Sequence, residues 1–472
     1  MRAPRRVVLS LISHTNVGKT TLARTLVRRD VGEVADQAHV TEATERFVLD
    51  EGPTGDQVVL ADNPGFGDSA RLLRRLRGLP NPLAWLIGQV WDRFRDRPLF
   101  CSQQAVRHVR DEADVVLYLA NASEDPAEAG YLAPELELLS WIGRPVVLLL
   151  NQTGAPAAMR AREAEVARWR AFAAAHPVVR EVLPLDAFTR CWIQEGVLFE
   201  RLRGLVPDDR RDLLDGLLAR WREAQRAALR ASVAALAEPI AEAATDAEPI
   251  ASARRGEVRR AADALAQRLA ASLERATERL VALHGLEGET AAALRVELAD
   301  VVAPRVSGAP WRRSLWGGLV GGALGGLAAD LATGGLSLGG GTLVGAVLGA
   351  AGARGLAAGM ELLRGDDAPR VAWSPAFLDR LATDAVLAYL AVAHFGRGAG
   401  SFRVRDHPAL FREAAERHLA PRRETLRAAF RLLGDPAPEA GPAARALLEE
   451  ALGGAVRAVL LELYPEGATA LG

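Results

Sequence analysis

The chain opens with short runs of consecutive apolar residues, many β-branched, separated by segments of helical spacing. The runs are VVLSLI (7–12), RFVLD (46–50), QVVLAD (57–62), ADVVLYLAN (113–121), RPVVLLLN (144–151) and EVLPLD (181–186). A strand buried on both faces has no polar side to alternate with. Unbroken apolar runs joined by helices therefore predict a mostly parallel sheet covered on both faces. Runs 46–50 and 57–62 are linked only by EGPTGD, which predicts a hairpin and so one antiparallel edge pair.

Past residue 205 the period changes. LLDGLLARWREAQRAALRASVAALAEPI carries apolar residues three and four apart, as a helix packed on one face requires. Pro239 and Pro249 are expected to interrupt it, and a second amphipathic helix is predicted over Arg255 to Leu283. Helices are also predicted over 376–393, 407–432 and 441–464, with Gly365, Pro369, Gly396 and Gly400 at the joints. An all-α region thus follows the α/β region.

Residues 314–363 break both patterns. Asp330 is the single acid in the stretch before Arg354, and no residue from Leu331 to Ala353 is charged. Gly317, Gly321 and Gly325, and again Gly341, Gly345 and Gly349, recur at four-residue spacing, which on helices allows close approach. Glycine disfavours helix in water, whereas lipid forces backbone groups to bond internally. The stretch predicts a glycine-rich hydrophobic hairpin broken near Thr333-Gly334-Gly335. It either associates with a membrane or lies buried between domains as a pair of core helices. Arg312, Arg313 and Arg354 flank it, as lipid-headgroup anchors or as ordinary helix boundaries.

Composition narrows the classes. With 58 basic and 59 acidic residues, net charge is -1, so no specific nucleic acid is evident as a partner. Cys101 and Cys191 form neither a disulfide framework nor a metal set, which fits a reducing compartment. The start, MRAPRRVVLSLI, is too soon polar for a secretion signal and reads instead as a first strand.

The candidate chemistry lies at the ends of the predicted strands. Residues 13–20, SHTNVGKT, follow the first strand and open a helix, the setting in which loop N–H groups and a helix N-terminus hold phosphate. Ser13 occupies the leading position, where the pattern has glycine. Lys19 is placed to reach the β- and γ-phosphates and Thr20 to offer a hydroxyl to magnesium, while Gly18 permits close backbone approach. Asp62-Asn63-Pro64-Gly65 follows a second strand: an acid that can hold magnesium, and a glycine N–H that can sense the γ-phosphate. In the loop between, Thr41 is the residue expected to close over the metal, with Thr44 as its competitor.

NVGKT with DNPGF resembles the Era-like group of small bacterial GTPases, of the translation-factor-related class. The longer stretch VVLSLISHTNVGKTTLARTLVRRDVGEVADQAHVTE, together with the glycine-rich region, resembles a bacterial family in which a GTPase domain precedes the domain of unknown function numbered 3482. The resemblance implies an α/β P-loop NTPase fold for 1–205, with an insertion at 71–110. A helical domain (206–313), the glycine-rich membrane-associating hairpin (314–363) and a C-terminal helical region (364–472) follow. It implies GTP and GDP as ligands and Mg2+ as cofactor, held by Thr20, Thr41 and Asp62. Lys19, Thr41 and Gly65 are the catalytic set. Nucleotide contacts fall to Ser13, His14, Thr15, Asn16, Val17, Gly18, Lys19, Thr20 and Thr21. Asn16 matches an asparagine that helps hold K+ in some relatives. Phe66 stands where signalling GTPases have a catalytic glutamine, which implies slow hydrolysis unless a homodimer, a cation or a protein partner completes the site.

The base-reading motif departs from the family. Asn151 matches its asparagine, but Gln152 and Gly154 replace its lysine and aspartate. Losing the carboxylate that accepts from guanine weakens selection. Asp186, in Leu185-Asp186-Ala187, is the residue placed to compensate.

In the insertion, basic residues lie beside Leu83, Trp85, Ile87 and Trp91. It is expected to pack against the helical domain, the alternative being a membrane surface. His14 and His39 are expected to face solvent or bond locally, and Cys191 to be a small buried hydrophobe. Two functions stay open: a membrane-associated nucleotide switch with weak GTP hydrolysis, or a non-catalytic membrane scaffold that binds partners. With membrane lipids as partners, the first sits at the cytoplasmic face of the inner membrane; otherwise the protein is cytoplasmic.

Overall fold

In the computed structural model the described residues are 4–14, 17–27, 44–66, 69–88, 97–151, 159–185, 191–286, 360–363, 369–394 and 408–471. Thr15, Asn16, His39, Thr41, Trp91, Gln152 to Gly154, Asp186 and the hairpin over 314–358 lie outside them.

All six apolar runs are strands: β1 (Arg6–Ser13), β2 (Glu45–Glu51), β3 (Gln57–Asp62), β4 (Val115–Asn121), β5 (Val146–Asn151) and β6 (Val179–Pro184). They form one sheet in the order β2-β3-β1-β4-β5-β6, parallel throughout except for the edge pair β2–β3. Alternation within each strand divides two cores. Val7, Leu9 and Leu11 of β1, with Leu117 of β4 and Leu149 of β5, meet α1 (Lys19–Val27), α7 (Trp192–Leu202) and the start of α8 (Arg211–Thr245). Ile12, Val116, Tyr118 and Leu148 face the other way, onto α2 (Ser69–Leu76), α3 (Pro82–Gly88), α4 (Arg97–Asp111), α5 (Leu132–Ile142) and α6 (Met159–Ala173).

The insertion thus has a different partner from the one its pattern suggested. Leu76, Leu86, Leu99 and Val106 are buried on the sheet of the same domain, with Leu83 and Trp85 packed at the margin. Its apolar residues cover the second face of the sheet together with those of α5 and α6.

Compact units comprise residues 1–225 with 395–402 and 466–472, and residues 226–394 with 403–465. The division falls inside α8, which continues through Pro239 instead of ending there. Proline in a helix interior costs about 3 kcal/mol. Leu236 and Ile240, both buried on either side of it, offset that loss. At Pro249 the expected break is real, but it is filled by a short strand, β7 (Ala247–Pro249). β7 joins β8 (Met360–Leu363) and β9 (Arg370–Trp373) in an antiparallel sheet of order β7-β9-β8. The last residues of the glycine-rich stretch are therefore strand.

In the second unit α9 (Arg255–Leu283) has the predicted limits. α10 (Pro375–Ala393) starts from Ser374, whose hydroxyl caps the Phe377 N–H, and it packs against α11 (Pro408–Leu419) and α13 (Ala440–Leu463). The single helix predicted over 407–432 is two, α11 and α12 (Arg423–Leu433), separated by a 3-10 turn at Ala420–Arg422. Pro421 has no N–H to continue the α-helical ladder there. Among the described residues no helix is long and apolar enough to cross a membrane.

Candidate functional site

The parallel register puts the chemistry of three strands at one edge. Leu11 pairs with Asp62, and Ser13 with Leu119, so the ends of β1, β3 and β4 lie side by side. The chain leaves β1 at Ser13, which is buried, and re-enters regular structure at Lys19. Gly18 has φ 92°, a left-handed conformation that side-chain-bearing residues rarely adopt. Its carbonyl accepts from Leu22 N–H at 3.0 Å, which starts α1. Asn151, fully buried at the end of β5, donates from Nδ2 to the Val17 carbonyl at 2.7 Å. Whatever else Asn151 contacts, its amide braces the phosphate loop. Thr21 is buried in the first turn of α1.

Thr20 and Asp62 meet at the mouth of this loop. The Thr20 hydroxyl donates to one Asp62 carboxylate oxygen at 3.4 Å. The other oxygen, Oδ1, is buried with no hydrogen-bond partner. Burial pushes the Asp62 carboxyl up to about 6, against the pull of Lys19. An unpartnered buried carboxylate oxygen beside a hydroxyl, with a lysine near, is a hard-oxygen donor set that suits Mg2+.

Asn63, next in the chain, is a junction that the sequence did not announce. Fully buried, it donates from Nδ2 to Ser10 Oγ (2.8 Å) and to the Ala61 carbonyl (3.1 Å). Its Oδ1 accepts from the Thr44 hydroxyl at 2.8 Å. Thr44, the competitor for the first-switch role, thus spends its hydroxyl on Asn63.

Gly65 and Phe66 run against the head of the phosphate loop. A Cβ at Gly65 would lie 3.2 Å from the Ser13 carbonyl, tighter than ordinary contact. Phe66 N–H donates to that carbonyl at 3.0 Å, and His14 pairs with Phe66 in a parallel bridge. The Phe66 ring is wholly buried with Ile12, Leu72 and Leu76. It is a core residue and brings no polar group towards a phosphate.

His14 departs from its expected local or solvent-facing role. Its Nδ1 lies 2.7 Å from Glu135 Oε1, 121 positions along the chain, and its ring stacks on Tyr131 at 4.1 Å. Glu135, on α5, reads in sequence as one acid in an amphipathic helix, and nothing local marks it. Cys191, by contrast, is buried, as is Cys101, and the two are not joined in a disulfide.

Two family profiles match the chain. The domain of unknown function DUF3482 matches residues 178–449. The family described as 50S ribosome-binding GTPase matches residues 8–152, which hold the phosphate loop, Asp62 and Asn151. No curated protein matches the sequence. Among solved structures, one of Era with MgGDPNP and a segment of 16S ribosomal RNA is 17% identical with a TM-score of 0.33. Another, of a variant of Aquifex aeolicus Era bound to GDP and AlF4-, is 18% identical with a TM-score of 0.30. In both cases 43% of this chain aligns, and it spans 58% of the other chain.

Proposed function

This chain belongs to the DUF3482 family and carries a P-loop GTPase domain ahead of that region, and on that footing we propose that it is a magnesium-dependent, membrane-associated nucleotide switch that hydrolyses GTP slowly. The observation that carries this reading is the unpartnered buried oxygen of Asp62 beside the Thr20 hydroxyl at the start of the Lys19 helix.

The reaction is transfer of the γ-phosphoryl group to water. Lys19 and the loop N–H groups stabilise charge on the transferring oxygens. Thr20 and Asp62 would hold magnesium, which would supply neutralising charge at the phosphates. Thr41 completes that set, and the Gly65 N–H reports on the γ-phosphate. Ser13 through Thr21 wrap the phosphates, with Asn151 bracing Val17 from behind. With the Asn151 amide spent on Val17, Asp186 is the group left to meet the base, so guanine preference is weak. Asn16 would help hold a K+ ion, and that ion, a homodimer or a protein partner would complete the site where Phe66 brings no polar group. Residues 314–358 supply the membrane attachment, on the strength of their uncharged length and glycine spacing.

The buried Phe66 ring favours a second reading, in which nucleotide is bound and not turned over and the helical region serves as a scaffold. GTP turnover by the full chain, with magnesium or EDTA and with or without anionic vesicles, separates the two. The switch reading expects magnesium-dependent turnover that vesicles alter, and co-sedimentation that is lost on deleting 314–358. Tight GTP binding with no turnover under any condition would establish the scaffold.

A further inference from the structure

Glu135 is a fully buried carboxylate in the first turn of α5. Three side chains from three separate elements bond to it. His14, at the head of the phosphate loop, lies at 2.7 Å, and the Tyr118 hydroxyl of β4 donates at 2.5 Å. The third is Ser69, the first residue of α2, which follows the second-switch segment. A buried carboxylate left without such partners would carry the penalty of an unpaired buried ion. Of the three, His14 alone can carry positive charge. Burial pushes the Glu135 carboxyl upward, and the contact with His14 opposes that shift most.

The histidine is held on a second side as well. Its ring stacks on Tyr131, whose hydroxyl donates to Glu124 at 2.9 Å. Meanwhile the backbone of His14 pairs with Phe66, and the Phe66 N–H bonds to the Ser13 carbonyl. The head of the phosphate loop and the second switch are therefore joined twice: directly through backbone, and three residues later through Glu135 to Ser69. Neither joint uses the side chains of Lys19, Thr20 or Asp62, which carry the proposed phosphate and metal chemistry.

We propose that Glu135 is a positioning residue that ties the phosphate loop to the second-switch helix, so that His14 and Ser69 act on the nucleotide site as one unit. The effect on hydrolysis rests on the functional reading above; the mechanical coupling does not.

The test uses the full chain and four variants: His14→Phe, Ser69→Ala, the pair together, and Glu135→Gln. Phenylalanine keeps the stack on Tyr131 and removes the bond to Glu135. Glutamine offers one acceptor oxygen where three donors converge, and its amide N–H groups oppose them. Amide hydrogen exchange over residues 64–76 is measured without nucleotide. His14→Phe should speed exchange in α2 several-fold although it lies outside that segment. The double variant should exceed the larger single effect by little, because both changes cut one link. Single-turnover hydrolysis should then slow by about tenfold in each single variant, with the total amplitude kept, since one charge-assisted hydrogen bond is worth about that factor. A purely structural role would reduce the amplitude and leave the rate constant unchanged, which would overturn the positioning role. Unchanged exchange in α2, or a double variant whose effect is the product of the singles, would overturn the coupling. If Glu135→Gln does not fold, the His14 and Ser69 cycle still decides. Failure of the wild-type chain to bind any nucleotide would sink the functional reading, while hydrogen exchange would still decide the coupling by itself.

Discussion

The two ends of the nucleotide edge differ in what they keep. At the β1–β3 end, Lys19, Thr20 and Asp62 converge, and Asn63 draws Thr44, Ser10 and β3 into one buried network. At the β5–β6 end, Asn151 is the surviving member of the base-reading motif, and its amide faces the Val17 carbonyl of the loop. Both ends belong to the same sheet, at the C-terminal ends of its parallel strands. The difference is chemical, then, and not one of fold. A phosphate-and-metal site needs a lysine, a hydroxyl and a carboxylate, and these remain. Selecting a base needs paired donors and acceptors that discriminate one ring from another, and Gln152 and Gly154 do not supply them. Under the proposed function, the chain binds a triphosphate firmly and reads its base loosely.

The largest effect expected from this contrast is at Asp62. Asp62→Ala should lower affinity for magnesium nucleotide by about a hundredfold and abolish its dependence on magnesium, since a charged metal ligand is lost. Calorimetry with and without EDTA measures it. An effect no larger than that at Asn151 would erase the asymmetry between the ends.

Asn151→Ala removes one buried hydrogen bond and leaves the Val17 carbonyl short of a partner, which costs about 1–3 kcal/mol. Affinity for GTP, XTP and ATP should therefore fall together, and the preference among them, within about tenfold in the wild type, should barely move. A strong guanine preference in the wild type that collapses in this variant would assign Asn151 to the base after all.

A smaller effect concerns acidity. Burial raises the folded-state carboxyl of Asp62 to about 6 from its ordinary value near 3.8. The folded chain then holds a proton that the unfolded chain has released, so without metal the folded state loses stability as pH rises from about 4 to about 6. Magnesium nucleotide should cancel that loss by engaging the ionised form. Thermal unfolding between pH 4 and pH 7, with and without ligand, reads the slope. Asp62→Asn should flatten it.

How far the sequence announced all this depends on range. The six strands were legible because burial on both faces leaves an unbroken apolar run, and the β2–β3 hairpin because a short polar linker allows nothing else. Helix Arg255–Leu283 was legible from its spacing. Pro239 misled because packing around Leu236 and Ile240 outweighs a local penalty. At Pro421 the local penalty prevails, and a helix predicted as continuous divides. In the site, Lys19, Thr20 and Asp62 stand in short motifs that carry their own context. Glu135 does not: its partner His14 is 121 residues away, and only the sheet brings α5 beside the phosphate loop. Asn63 was visible as part of a motif, yet its bonds to Ser10 and Thr44 depend on β1 and β2 arriving at β3.

The most direct test of a phosphate-binding site at Lys19 is calorimetric titration of GTP with magnesium into the full chain and into Lys19→Ala. Lysine would reach the β- and γ-phosphates with a charge-assisted contact that alanine cannot replace. The wild type should bind, and the variant should show no measurable heat of tight binding while keeping the same unfolding temperature in the absence of nucleotide. Equal affinity in the two proteins would contradict the account at its centre.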